Sequence, residues 1–398
     1  MVLARQFRPW PIDGMRRALL IVASLMLGAC ATPAPVPVAE PPSLLNDAAF
    51  APSAVPRDPG VFAVSAAMRN YLRQDIARQV RDQGPLRGLV AALESDTQLK
   101  LEYDTAVTRT AAEAFEARAG NCLSLTVMTA ALARELGLSV SFQRVFSEPL
   151  WTRSDDTLFA SGHVNILLQG AAATGSKTYD RIKGVVVDFT PGVDLLRLRS
   201  QEILDHTVMA MFMNNRAAEA LRRGAVDEAY WWVRGATLQD PRFLEAFNTL
   251  GVIYARHGDL GFAERTFRHV LALESENVSA IANLAGLFER QGRKVAALEL
   301  RERLRRIEAQ PPFHFFDLGI AALKRKDYAS AREHFSRELS RNAFFHEAHF
   351  GLAVALLGLG ELAPAHKQLA AALETSTNRR DHDIYAAKLA WLRSKHVD

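Results

Sequence analysis

Between residues 205 and 398 the same residue types return every 34 positions. Leu250, Leu284, Leu318 and Leu352 stand one period apart, each followed by a small residue: Gly251, Ala285, Gly319 and Ala353. Ala263, Ala297, Ala331 and Ala365 form a second series. Gly258, Gly292 and Gly360 form a third, broken by Lys326. Ala217, Gly224 and Ala229 extend the pattern backwards as a degenerate first copy. Such a unit cannot bury its apolar face alone, so it must stack on its neighbours. Small residues fall where two antiparallel helices approach closely, and large ones fill the gaps. The period predicts about five helical hairpins over residues 206–375. A last polar-faced helix, DIYAAKLAWLRSK, reads as the solubilising cap that a stacked array requires.

The run Leu250-Gly251-x-x-Tyr254, followed by Gly258, Ala263 and Phe267, resembles the tetratricopeptide repeat. The resemblance implies an all-α solenoid over 205–398, with a groove that takes peptide or protein partners.

The N-terminus is of another kind. Arg16-Arg17 precede the apolar stretch ALLIVASLML, which ends in Leu27-Gly28-Ala29-Cys30. A basic segment, a short apolar run and small residues mark residues 1–29 as a secretory signal, with Met1 or Met15 as the start. Leu-Gly-Ala-Cys resembles the lipobox of bacterial lipoproteins, which implies that Cys30 carries the lipid and becomes the mature N-terminus. By the same resemblance Ala31 after the cysteine favours the outer membrane, with the protein facing the periplasm. The segment also holds +3 of the chain's net charge of +4, so the remainder gives no electrostatic case for nucleic acid. Residues 30–59 carry eight of the 17 prolines and read as a semi-rigid spacer.

Residues 60–204 change period partway. VSAAMRNYLRQDIARQV, LRGLVAALES, TRTAAEAFEARAG and CLSLTVMTAALARELG repeat at helical spacing, with breaks at Gly84-Pro85, Gly120 and Gly137. LSVSFQRVF, GHVNILLQ and GVVVDF then read as strands. Helices followed by strands predict an α+β domain. It holds the second of only two cysteines, Cys122, at the head of a helical run after Asn121, a favoured N-cap residue. With Cys30 committed to lipid, Cys122 has no intramolecular partner and reads as a reactive thiol at a helix start, where unpaired N–H groups and the macrodipole favour a thiolate; an intermolecular bridge and burial as a small apolar residue are the alternatives. A nucleophilic cysteine needs a base and the base an orienting group. His163 in SGHVNILL and Asp188 in GVVVDFTPG are candidates on neighbouring strands, and Ser161, His163 and Asn165 share one strand face.

RAGNCLSLTVMTAALARELGL, GHVNILL and VVVDFTP together resemble the core of the transglutaminase-like superfamily. The resemblance implies a papain-like triad: Cys122 as nucleophile, His163 as general base and acid, Asp188 as the orienting carboxylate. The chain departs from the family pattern in placing Val164 after the histidine and in having no tryptophan between Trp10 and Trp151.

No phosphate loop, HExxH or CxxC motif is present, so no cofactor or metal is expected. His346 and His349 lie three apart on one predicted helix without an evident third ligand. Trp231-Trp232 reads as inter-repeat core or as a docking surface. Two functional expectations follow. One is a lipid-anchored cysteine acyl-transfer enzyme acting on amides of peptides or proteins, by hydrolysis or transamidation. The other is a non-catalytic repeat scaffold whose N-terminal domain only binds peptide.

Overall fold

The computed structural model describes residues 44–56, 58–95, 99–104, 107–154, 157–170, 184–189, 199–308, 310, 313–343, 345–376 and 379–394. The signal segment, Cys30 and the first part of the spacer lie outside them.

Ser65 opens helix α1 (Ala66–Asn70), its side chain accepting from the Met68 N–H. The single helix expected here is interrupted. A π-helical turn, Tyr71–Asp75, follows, and Ile76 separates it from α2 (Ala77–Gln83). The wider turn brings Tyr71, Leu72 and Ile76 inward together, all of them buried. Gly84, at φ +82°, reverses the chain, and Pro85 starts α3 (Pro85–Leu93). A reciprocal capping box between Thr110 and Glu113 starts α4 (Ala111–Ala117). This helix ends at Arg118, which takes the left-handed conformation at φ +50°, two residues before the glycine expected to close it. Gly120 has a different task. It lies in the two-residue strand β2 (Ala119–Gly120), which pairs in parallel with β1 (Glu102–Tyr103). A Cβ at Gly120 would stand 2.6 Å from the Ser124 Cβ, so only glycine lets the chain pass the next helix.

That helix, α5 (Cys122–Glu135), is buried continuously from Leu123 to Ala133. A helix apolar on all sides belongs at the centre of a core. It ends at Gly137, at φ +73°, where the periodicity placed its end. The chain then forms β3 (Ser139–Ser154), β4 (Thr157–Gln169), β5 (Val185–Val187) and β6 (Arg199–Ile203). They make one antiparallel sheet in the order β5-β4-β3-β6. Val164, Ile166 and Leu168 are fully buried, and the Thr126 hydroxyl on α5 lies 3.5 Å from the Val164 carbonyl.

From Asp205 onward the described residues are helical. Five antiparallel pairs follow: α6 (Asp205–Arg222) with α7 (Val226–Gln239), α8 (Leu244–His257) with α9 (Leu260–Leu273), and α10 (Val278–Arg290) with α11 (Lys294–Ile307). Then come α12 (His314–Lys324) with α13 (Tyr328–Arg341), and α14 (His346–Gly358) with α15 (Leu362–Glu374). This is an all-helical solenoid of tetratricopeptide type. Its small residues face rings. A Cβ on Gly251 would stand 2.6 Å from the Phe267 ring, and on Gly319 2.7 Å from that of Phe335. The alanine series Ala229, Ala263, Ala297, Ala331 and Ala365 is buried throughout. Of the leucine series only Leu318 is substantially exposed, at 37%. Between paired helices Gly224, Gly258, Gly292 and Gly360 all have positive φ, and Lys326 takes the same conformation at φ +59°. The backbone period is therefore unbroken where the sequence period breaks. The terminal helix α16 (Arg379–Ser394) packs Tyr385, Leu389 and Leu392 on Ala353, Leu369 and Ala372, while Trp391 stays half exposed.

The end of the proline-rich spacer is not a free tether. Phe50 is buried and stacks on Tyr230, centroids 3.9 Å apart. The Tyr230 hydroxyl donates to Asp47 Oδ1 at 2.7 Å and accepts from the Asn46 N–H at 2.9 Å. Arg234 Nε donates to both Asp47 carboxylate oxygens, and Trp231 Nε1 donates to the Ala51 carbonyl. One aromatic side chain and one carboxylate are enough to dock a segment whose composition otherwise has little to bury. Trp231 is thus a docking surface for the chain itself, whereas Trp232 is buried.

Lys326→Gly should raise stability by about 0.5–1 kcal/mol by relieving the left-handed residue. Gly251→Val should lower it by about 1–3 kcal/mol through overpacking against Phe267. Denaturant titration followed by circular dichroism reads both.

Candidate active site

Asn121 fixes where α5 begins. Its backbone is extended (φ −74°, ψ 176°), and its Oδ1 accepts from the Ser124 N–H at 2.9 Å and from the Ser124 hydroxyl at 2.8 Å. The next residue, Cys122, is therefore the first of the helix, among N–H groups that have no partner within it. It is part-exposed.

The sheet supplies the facing groups. Ile166 on β4 pairs with Val187 on β5 in antiparallel register. One further step sets Asp188 beside Asn165, on the face that also carries His163. His163 Nε2 lies 2.6 Å from Asp188 Oδ2, and Asn165 Nδ2 donates to the same oxygen at 3.2 Å. The Cys122 side chain lies beside the His163 ring, close enough for the two to interact. The structure thus brings Cys122, His163 and Asp188 together, with His163 and Asp188 hydrogen-bonded.

The electrostatics follow from burial and pairing. Asp188 is 4% exposed and His163 10%. Burial pushes His163 down, but the hydrogen bonds to Asp188 and Cys122, with the charges of both, push it further up, to about 9. At neutral pH the imidazole is a cation between two acidic groups.

Asn165 belongs to the site and is singled out only by its strand face. It is 3% exposed, and its Oδ1 has no hydrogen-bond partner among the described residues. The amide orientation is set by charge, since a donor, not an oxygen, must face the carboxylate. Two further groups, Thr108 and Glu219, bind the Asn121 cap from outside, Thr108 directly and Glu219 through Thr108. Neither stands in a local pattern that marks it.

His346 gains the third neighbour that the sequence did not reveal. Ligand atoms of His346, Glu347 and Asp381 lie within 4.8 Å of one another. Both imidazole nitrogens are already engaged, Nδ1 with the Tyr385 hydroxyl at 2.9 Å and Nε2 with Glu347 at 3.2 Å. The cluster lies where the last hairpin meets α16. No described helix is long and apolar enough to cross a membrane.

Because folding raises His163 from its ordinary value of 6.5, its contribution is complete below that pH and is lost as pH rises through about 9. Stability should therefore fall by a few kcal/mol across that window, and Asp188→Asn should flatten the slope. Denaturant titrations in parallel at several pH values check this.

No protein-family profile matches the chain. Among curated proteins it is similar to the type IV pilus assembly protein PilF of Pseudomonas aeruginosa, 27% identical over 124 residues, which are 31% of this chain and 49% of that protein. The chain thus spans about half the length of this curated relative. Among solved structures, Pseudomonas aeruginosa PilF aligns at TM-score 0.31 and 21% identity, over 48% of this chain and 88% of that one. A thermophilic TPR protein from Thermus thermophilus aligns at TM-score 0.31 and 19% identity, over 46% and 99%. MamA aligns at TM-score 0.24 and 20% identity, over 42% and 91%.

Proposed function

We propose that the chain is a cysteine acyl-transfer enzyme of transglutaminase-like type, built onto a tetratricopeptide scaffold that presents it to a protein partner. The observation that carries this is the His163 ring held between Asp188 and the thiol at the start of α5. Cys122 Sγ attacks the carbon of an amide carbonyl, and the carbonyl π pair moves to oxygen. The Cys122 N–H, free of a helical partner, is positioned to donate to that oxyanion. As the C–N bond breaks, the imidazolium gives its proton to the leaving nitrogen, and a thioester remains. His163 then takes a proton from water or an amine as it attacks the thioester, and the sulfur leaves as thiolate. Water yields hydrolysis, an amine yields transamidation. Asp188 keeps the ring in the orientation both steps need. No cofactor enters this chemistry.

The scaffold reading has its own support in the solenoid. Tetratricopeptide stacks bind peptide and protein segments, and the curated relative is by name an assembly protein. Under this reading the cysteine domain binds peptide without turning it over. Lipid attachment at Cys30 adds a location, the envelope side facing the periplasm at the outer membrane; Cys30→Ser should abolish labelling by a fatty-acid probe.

Covalent capture separates the two. Wild-type protein given an amide-bearing envelope extract should yield a hydroxylamine-sensitive adduct on Cys122, detected by mass spectrometry and absent from Cys122→Ala. Iodoacetamide should alkylate native Cys122 near pH 6.5 roughly ten times faster than in His163→Ala. A thiol that reacts only after unfolding leaves the scaffold alone.

A further inference from the structure

The segment leading into α4 is gripped from two sides. Thr108 is 1% exposed, and each of its hydrogen-bonding groups is engaged. Its N–H donates to Glu219 Oε1 at 2.6 Å. Its carbonyl accepts from Arg216 Nη1 at 3.4 Å. Its hydroxyl oxygen accepts from Asn121 Nδ2 at 2.8 Å. Glu219 and Arg216 belong to α6, the first helix of the solenoid, and Arg216 Nη1 also donates to Glu219 Oε2 at 3.2 Å. Asn121 is the cap that begins the cysteine helix. The Arg109 N–H reinforces the same end, donating to the Ser124 hydroxyl oxygen at 2.8 Å.

A carboxylate this deep is costly. Glu219 is 7% exposed, and burial pushes its carboxyl above the ordinary range while Thr108 and Arg216 pull it back. An apolar residue would fill the volume more cheaply but would leave the Thr108 N–H without a partner. The carboxylate therefore gives direction rather than bulk. The solenoid holds a comparable group elsewhere. Glu338 is 4% exposed and accepts from the Phe316 N–H at 3.1 Å, within the fourth hairpin.

His163 is fixed by β4 and Asp188, whereas Cys122 is fixed by its cap. The two halves of the site are held by different elements, so their separation depends on both grips. We propose that Glu219, oriented by Arg216, is a positioning residue for the Cys122–His163 pair, acting through Thr108 and the Asn121 cap. The first solenoid helix is then part of the thiol site. This rests on the acyl-transfer reading above.

The test uses the full chain. Iodoacetamide alkylation of Cys122 is timed from about pH 5 to 9 in wild type, Glu219→Ala, Glu219→Gln, Thr108→Val and Glu338→Ala, with melting followed in each. Near pH 6.5, Glu219→Ala and Thr108→Val should react roughly tenfold slower than wild type. Glu219→Gln, whose amide oxygen still accepts from Thr108, should recover part of the rate. Glu338→Ala should melt lower yet keep the wild-type profile. If Glu219→Ala does not fold, Thr108→Val decides, since it keeps the backbone bonds to α6 and removes the hydroxyl that joins the Asn121 cap to Glu219. Lower melting with an unchanged profile in Glu219→Ala and Thr108→Val overturns the proposal and leaves Glu219 a structural group. A wild-type profile no different from His163→Ala is a separate result, which overturns the acyl-transfer reading and the proposal with it.

Discussion

The contact between a bare backbone and an aromatic ring sets the spacing of this molecule. Where Gly251 meets Phe267, or Gly319 meets Phe335, the first helix of a pair lies close enough that no side chain fits between. That closeness keeps successive pairs in register over the solenoid. The register in turn makes a surface on which the rest of the chain is assembled. Phe50 needs Tyr230 and Tyr254 side by side, and its ring lies within 3.9 and 5.7 Å of them. The hairpin of β3 and β4 also lies on this surface. β4 rests against α8 and α10, and Arg144 on β3 pairs with Glu245 on α8. Part of the solenoid surface is thus covered by the chain itself.

The thiol site depends on a second constraint, the desolvation of Asp188. A carboxylate shut away from water must be satisfied by donors, and His163 and Asn165 supply them. Its hydrogen bond and charge then help hold the His163 ring protonated. A polar row of this kind rests on apolar neighbours: Val164 and Ile166, buried to zero exposure, alternate with His163 and Asn165 along one strand. The strand that builds the core and the strand that builds the site are the same strand.

How much of this is legible in the sequence depends on the range of each interaction. The hairpins are legible because their packing repeats, and a small residue against a ring leaves the same trace every 34 positions. The start of α5 is legible because capping acts over three residues, from Asn121 to Ser124. The juxtaposition of Cys122, His163 and Asp188 follows from chain order only through a resemblance, since no local signal joins residues so far apart in the chain. The docking of Asn46–Ala51 is hidden. A proline-rich composition speaks for solvent, and the partners Tyr230 and Arg234 lie more than 180 residues away. Lys326 misleads in the opposite sense: the residue breaks the glycine series while the backbone keeps it, because the neighbouring helices over-determine the turn. The Glu219–Thr108 bond has no sequence signature at all, since any acidic residue on a repeat helix looks solvated.

The docked segment also sets a length. Only fifteen residues, sixteen chain steps, lie between Cys30 and Asn46, where the chain is clamped to α7. A polypeptide spans at most ~3.3–3.6 Å per residue, so this leash reaches no more than about 58 Å. Under the proposed lipidation of Cys30, the point tied to the bilayer would be the first and second repeats, not the cysteine helix. The leash would then set an upper limit on how far that point can stand from the bilayer, and with it on where a substrate of the proposed thiol site can lie. Substrates would be chosen by altitude as well as by chemistry.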